Sequence, residues 1–399
     1  MLLTKFLNNI IKEDGFILKT SDEKTFIIGN PKKKNPAVLK LKNKLIEYKL
    51  LVYPDLYFGE GYLNEEIVIE NGDISEILNI SLKNIGRGSI SKLSKTINKI
   101  RGTWRFLTNF YSRQRAKESI EAHYDIGNAE FYKNFLDNKH FKYSCGLHPK
   151  PDTSLEDSQE LMINHIIKKL KITSNDNVLE VGSGFGGICA AIAKKTGARV
   201  KGITLSKVQF DHSKNLVREK KIDNLCDFEL KDFRDLQGKF SKILSFGQFE
   251  HTVRKHYNKY FKKIYNLLSK DGIALVHTIG SIDKPRDPQP WISKRIFPFG
   301  YTCSFSEVMP AIENSRLILS DLEILPGIHY ASTLKEWKKR FITNKDKIIK
   351  EYGKKLFLTF EFYLSACQYA FLWQDQVNFQ ILLRKDINTE DRTRSYIYN

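Results

Sequence analysis

Cysteine is scarce. Five occur in 399 residues, Cys145, Cys189, Cys226, Cys303 and Cys367. They are odd in number, widely spread and form no C-x-x-C pair, which excludes a disulfide framework and a structural zinc site and fits a reducing compartment. No metal site is expected. Long hydrophobic runs are also absent, so no stretch approaches the ~20 apolar residues of a membrane span. The nearest, residues 357–373, is interrupted by Glu361 and Gln368 and reads as a buried helix or the wall of an apolar groove. Residues 1–16 carry Lys5, Lys12, Glu13 and Asp14 without an apolar core, unlike a secretory signal. There is no internal repeat. Acidic residues are in the minority, 46 against 65 Lys and Arg, for a net charge of +19. That balance favours polyanionic partners, either nucleic acid or an anionic membrane surface; the plainer reading is a Lys-rich surface with no partner.

Residues 1–115 read as a smaller α+β domain. Residues 26–29, 37–41 and 66–70 are strand-like and 42–52 helical. Residues 92–115 are basic and interleaved with Trp104, Phe106, Phe110 and Tyr111, which suits a membrane interface, a nucleic-acid strand or an amphipathic linker helix. From about residue 160 strands and helices alternate. The pattern predicts strands at 177–181, 198–203, 227–230, 240–246, 272–278, 319–325 and 377–383. It predicts helices at 158–170, 188–195, 206–220, 255–269, 304–314, 333–350 and 354–373. Alternation of this kind implies an α/β fold with a mostly parallel sheet and helices on both faces. A loop rich in proline and aromatics fills 281–301, and a polar tail follows residue 385.

The organising stretch is Val178-Leu179-Glu180-Val181-Gly182-Ser183-Gly184-Phe185-Gly186-Gly187. A buried strand turns into glycine and then into a helix, the geometry that brings backbone N–H groups close to a nucleotide-like ligand. Gly182, Gly184 and Gly187 satisfy G-x-G-x-x-G, so a dinucleotide must be considered. That reading needs an acid at the end of the second strand, and Gly202-Ile203-Thr204-Leu205-Ser206 has none. Glu180 before the turn instead gives the pattern of S-adenosylmethionine-dependent methyltransferases, and with it a Rossmann-like class I methyltransferase sheet.

Flanking motifs sharpen this. His123 to Tyr132, Tyr143-Ser144-Cys145, the glycine turn, Thr204 with Gln209, Phe249-Glu250-His251 and His277-Thr278-Ile279-Gly280-Ser281 occur in order. The set resembles the cyclopropane-fatty-acyl-phospholipid synthases and mycolic acid cyclopropane synthases over about 123–385. Tyr57-Phe58-Gly59-Glu60-Gly61-Tyr62 also looks like the front domain of the full-length phospholipid enzymes. The resemblance implies a domain division of 1–115 (accessory, lipid- or membrane-docking), 116–385 (catalytic) and 386–399 (tail). It implies methyl transfer from S-adenosylmethionine to a cis double bond of a phospholipid acyl chain. Proton loss from the added methyl then closes a cyclopropane, with bound bicarbonate as base.

By the same resemblance the bicarbonate cage is Cys145, Glu250, His277, Tyr330 and the backbone of Ile279. Cys367 matches a cysteine proposed as catalytic, although its apolar setting reads better as pocket lining. The cofactor would meet Tyr143, Ser144, Glu180, Gly182, Ser183, Gly184, Phe185 and Gly186, with Thr204 and Gln209 replacing the missing ribose acid and Asp232 and Phe233 at the adenine. Ser183 stands where many members carry Cys, and Phe185 where many carry Trp. The aromatic loop at 291–301 suits the mouth of an acyl tunnel, or a loop packed on the sheet edge. The family pattern further implies a cytoplasmic enzyme held peripherally at the inner membrane face, a homodimer, and no nucleic-acid partner. Three alternatives are weighed: a same-family enzyme giving methyl-branched or methylene chains, a nucleic-acid methyltransferase served by the positive charge, and a non-catalytic lipid-binding or lipid-transfer protein on a methyltransferase scaffold, against which Glu250, His277 and Tyr330 argue.

Overall fold

A computed structural model describes residues 2–86, 92–108, 128–389 and 394. Phe110, Tyr111, residues 123–127 of the first motif and most of the expected tail lie outside the described residues. The chain divides into two compact units. The first joins the described part of 1–110 with Arg286–Pro298 and Leu334–Asp375; the second holds the rest.

In the first unit β1 (Gly15–Lys19), β2 (Thr25–Gly29), β3 (Val38–Leu41) and β4 (Ile67–Asn71) form one sheet in the order β2-β1-β3-β4. Alternation sends Phe16 and Leu18 of β1 inward, where they join Leu3, Ile28, Leu39, Leu41, Ile46 and Ile77 in one core. Asn43 caps the helix Lys44–Val52 by accepting from Ile46 N–H, and Asp73 caps Ile74–Ile85 by accepting from Glu76 N–H. The small α+β region is therefore present. Helix Leu2–Ile10, strand β1 and helix Pro54–Leu63 were not legible in the sequence.

This unit departs from the linear division at residue 115. Glu60, in the Tyr57–Tyr62 motif, accepts from Arg295 Nε and Nη2 and from Lys294 Nζ, each at 2.7 Å. Gly59 lies against the Trp291 indole, where a Cβ would come within 2.5 Å of the ring. Tyr62 donates to Glu361 at 2.6 Å, and Trp373 Nε1 to Asn79 at 2.7 Å. Distant segments are thus bound to the front residues by charge and ring packing. The aromatic stretch is not a bare loop: Gln289 caps a short helix, Pro290–Arg295, that buries Trp291.

The second unit contains one mixed sheet. Its strands are β5 (Asn177–Val181), β6 (Arg199–Thr204), β7 (Cys226–Leu230), β8 (Phe240–Phe246), β9 (Leu268–Ser281), β10 (Cys303–Ser304), β11 (Ile318–Leu325) and β12 (Gln376–Arg384). The order is β11-β12-β9-β8-β5-β6-β7, with β10 beside β9. β9, β8, β5, β6 and β7 run parallel, as does β10 beside β9; β12 runs antiparallel to β9, and β11 to β12. On one face, Leu179, Ile243, Ala274 and Val276 of the sheet pack with Tyr260, Phe261 and Ile264 of helix Tyr257–Leu267 and with Val308 and Ile312 of helix Phe305–Ser315. Ser154 caps helix Leu155–Leu170, and Ser206 caps helix Lys207–Glu219. The expected helix at 333–350 is two helices, Gly327–Thr343 and Lys345–Tyr352. Among the described residues no helix is long and apolar enough to cross a membrane.

The Gly59–Trp291 contact gives a direct test of the first unit. Gly59→Ala should lower its stability by about 1–3 kcal/mol, the usual cost of overpacking, and expose Arg286–Pro298 to limited proteolysis. Unchanged stability and protection would contradict the packing.

Candidate active site

The carboxyl ends of β5 to β8 open onto a cavity of about 660 Å³. Its floor is the glycine turn after β5. Gly182 has φ +75°, and a Cβ there would lie 2.7 Å from Gln248; at Gly187 it would lie 1.6 Å from the His140 carbonyl oxygen. Only glycine lets backbone approach this closely. The Gly182 and Ser183 N–H groups both donate to Ile203 O, at 3.0 and 2.9 Å, tying the turn to β6.

Tyr143, Ser144, Glu180, Gly182, Ser183, Gly184 and Phe185 line this cavity, as do Thr204, Gln209, Asp232 and Phe233. Gly186 does not; it starts the helix Gly187–Thr196 at φ +86°, packed against Ser213 and Phe228. Thr204 Oγ1 donates to Gln209 Oε1 at 2.8 Å, so the two residues expected to replace the ribose acid are joined. Arg234 grips Asp232 through Nε at 2.9 Å and Nη2 at 2.5 Å, so this acid reaches the cavity already paired.

Glu180 is fully buried and accepts from Cys189 Sγ at 2.8 Å. Burial pushes its carboxyl up to about 8. Lys142, Gln248 and His251 also line the wall, and no role was read for them in the sequence. Asp137 holds the loop that carries Lys142, accepting from the His140 N–H at 2.6 Å and the Lys142 N–H at 2.9 Å. The Lys142 ammonium donates to Cys145 O at 2.5 Å and Gln159 Oε1 at 2.6 Å, and sits 4.5 Å from the Phe246 ring centroid. Burial lowers its pKa to about 8. A lysine between Phe141 and Tyr143 reads as a surface residue, so its burial left no signal.

A second polar group lies at the ends of β8 and β9. Glu250 Oε1 accepts from the Ile279 N–H at 2.7 Å. Its Oε2 is buried without a partner among the described residues, and burial pushes Glu250 up to about 7. The Ile279 amide, expected to face a bound anion, is therefore engaged by Glu250. His277 is fully buried, and burial together with the nearby Lys142 and Lys169 ammoniums holds its pKa well below the usual value.

Cys145 is buried, and its neighbour Gly146 donates N–H to Thr333 Oγ1 at 3.0 Å. That bond ties Cys145 to helix Gly327–Thr343, whose first turn carries the buried Tyr330. Tyr330 is thus a helical residue and not part of a loop. Cys367 lies in the other unit, on helix Lys354–Trp373. Burial raises both thiols to about 12, the opposite of what a nucleophilic cysteine needs.

The Glu180 environment fixes a sign. The folded chain keeps this proton up to about pH 8, whereas the unfolded carboxyl releases it near 4.5. Stability therefore falls as pH rises through that window, by at most about 1.4 kcal/mol per pH unit for this group. Glu180→Gln removes that slope, so denaturant titrations should show the variant gaining on the wild type from low to high pH. Parallel curves would contradict the assignment.

The fold and cavity have counterparts. The model of the family described as mycolic acid cyclopropane synthetase matches residues 111–381. The cyclopropane-fatty-acyl-phospholipid synthase of Escherichia coli (strain K12) is 30% identical over 354 residues, 88% of this chain and 89% of that protein. The cyclopropane synthase MmaA2 from Mycobacterium tuberculosis aligns with a TM-score of 0.64 at 25% identity, over 70% of this chain and 100% of its own. Mycolic acid cyclopropane synthase CmaA1, solved with SAH and CTAB, aligns at 0.63 and 26% identity, over 67% and 98%. The matched residues 111–381 include the glycine turn, the cavity wall and Glu250. The chain belongs to the mycolic acid cyclopropane synthetase family and is an S-adenosylmethionine-dependent methyltransferase.

Proposed function

We propose that the enzyme transfers a methyl group from S-adenosylmethionine to the cis double bond of unsaturated acyl chains in membrane phospholipids and closes a cyclopropane ring. The E. coli relative, matched over 88% of this chain, is a cyclopropane-fatty-acyl-phospholipid synthase. The observation that carries the chemistry is the buried Glu250, one oxygen anchored on Ile279 N–H and the other unpartnered.

In this reading the cavity wall from Tyr143 to Phe185, with Thr204, Gln209, Asp232 and Phe233, holds the methyl donor in line with the alkene. An alkene is a weak nucleophile, so fixed approach supplies much of the rate. Its π electrons form the new C–C bond as the C–S bond breaks, leaving a neutral thioether and a cationic carbon on the chain. Loss of a proton from the added methyl closes the ring.

The residues present fit a small bound anion at this point. The unpartnered Glu250 Oε2 is a buried polar atom in want of a donor or acceptor. A carboxyl near 7 can donate to an anion at one moment and accept at the next. Bicarbonate, when bound, supplies a base that does not itself trap the cation. Glu250, Cys145, His277 and Tyr330 would hold it, with the Ile279 amide acting through Glu250. Cys367 belongs to the acyl surface in this reading. We further propose that the first unit docks the enzyme peripherally at the cytoplasmic membrane face, where the whole chain's net charge of +19 favours anionic headgroups, and that the enzyme works as a homodimer without a nucleic-acid partner.

The test uses full-length protein, CD3-labelled S-adenosylmethionine and vesicles of monounsaturated phospholipid, read by mass spectrometry and proton NMR. The expected product carries CD2 within a ring. Depleting dissolved carbon dioxide should lower kcat, and added bicarbonate should restore it. An intact CD3 branch would replace ring closure with methyl branching. No acyl product, with label in RNA instead, would overturn the lipid reading.

A further inference from the structure

His277 is gripped at both ring nitrogens. Nε2 lies 3.2 Å from the side-chain amide nitrogen of Asn378, and Nδ1 lies 3.2 Å from that of Gln380. The ring is fully buried and stacks on Phe246, with centroids 3.8 Å apart and planes 13° apart. A neutral imidazole has one donor nitrogen and one acceptor nitrogen. Two amide NH2 groups cannot both be satisfied by it, and an imidazolium, with two donors, would satisfy neither. One of the amides must present its oxygen.

Gln380 is not that one. Its Oε1 accepts from Lys169 Nζ at 2.9 Å, and an ammonium only donates. Lys169 is itself fixed. Its side chain is fully buried, and Nζ also donates to Glu323 Oε2 at 2.5 Å. The same Glu323 oxygen lies 2.7 Å from His165 Nε2. With Oε1 committed to Lys169, Gln380 must turn its NH2 toward His277. Nδ1 is therefore the acceptor, and the ring proton sits on Nε2.

Asn378 closes the argument. Its Oδ1 is buried without a partner among the described residues. A half-turn of that amide brings Oδ1 to the Nε2–H and removes the clash of donors, with the NH2 group taking the place of the unpartnered oxygen.

We infer that Lys169 and Gln380 are positioning residues that lock His277 as the neutral Nε2–H tautomer, a hydrogen-bond donor at Nε2 that cannot serve as a base there. The electrostatics agree. The Lys142 ammonium over Phe246 and the Lys169 ammonium behind Gln380 both oppose a positive charge on the ring, as does His165, while only Glu323 favours it. The consequence deepens the anion-assisted reading above and rests on it. His277 can share its Nε2–H between Asn378 Oδ1 and a bound anion but does not take the proton there, which leaves that role to the anion and Glu250. The tautomer itself can be read without any turnover.

The experiment uses the full chain with 15N-labelled histidine and long-range proton–nitrogen NMR. Nine histidines are present, and His277→Gln identifies the signal. The wild type should show the Nε2–H pattern, unchanged from about pH 6 to about pH 8, the range in which an ordinary histidine titrates. In Gln380→Glu, a carboxylate accepts from both Lys169 and the ring, so the proton should move to Nδ1. Lys169→Met releases Gln380 and should give a mixture of tautomers. An Nδ1–H or imidazolium pattern in the wild type would overturn the inference, as would a Gln380→Glu protein that keeps Nε2–H. If either variant fails to fold, the wild-type spectrum decides alone. Failure of the bicarbonate dependence with an Nε2–H wild type would remove the anion reading and leave the relay standing.

Discussion

A carboxyl group denied water governs this site. Glu250 has one oxygen on a backbone N–H and the other buried without a hydrogen-bond partner among the described residues. Burying a charge in that condition is costly, so the group keeps its proton to about pH 7. The arrangement follows from strand register. β8 and β9 pair Phe246 with His277, which brings the following turn of Glu250 beside Ile279. β9 and β12 pair His277 with Gln380 and Ile279 with Asn378. A slip of one residue would turn every one of these side chains to the other face.

The cavity above is built on close backbone approach. Gly182 and Gly187 leave no room for a Cβ, and the two N–H bonds to Ile203 hold the turn against β6. Opposite stands Lys142, a buried cation in the wall of the cavity. Its two carbonyl acceptors and the Phe246 ring offset part of its desolvation. The ammonium thereby joins the cavity wall to Cys145 and, through the Phe246–His277 stack, to the Lys169–Glu323 pair.

Much of this was legible in the sequence, because its signals are local. The glycine turn, the alternation of strands and helices and the residues around Thr204 located the sheet and the cavity at the carboxyl ends of its strands. What escaped depends on contacts between distant residues. Glu60 reads as part of an aromatic motif until Lys294 and Arg295 close on it. Residues 286–298 and 334–375 join the front residues by such contacts, which no local signal in the sequence shows. The helix Pro290–Arg295 did carry a sign, Gln289 as cap and Pro290 at the first position, masked by the surrounding prolines and aromatics. Lys169, Asn378 and Gln380 are polar residues inside elements patterned as core, and only the pairing across β9 and β12 shows what they hold.

The most direct test of the account is the protonation of Glu250 itself. Infrared difference spectra of the full chain across a pH series, with Glu250→Gln as reference, should show a protonated-carboxyl C=O band absent from the variant. The account predicts that this band fades with a midpoint near about 7. A midpoint at the ordinary 4.5 would contradict it, because Glu250 would then be an ionised, solvated or fully paired acid.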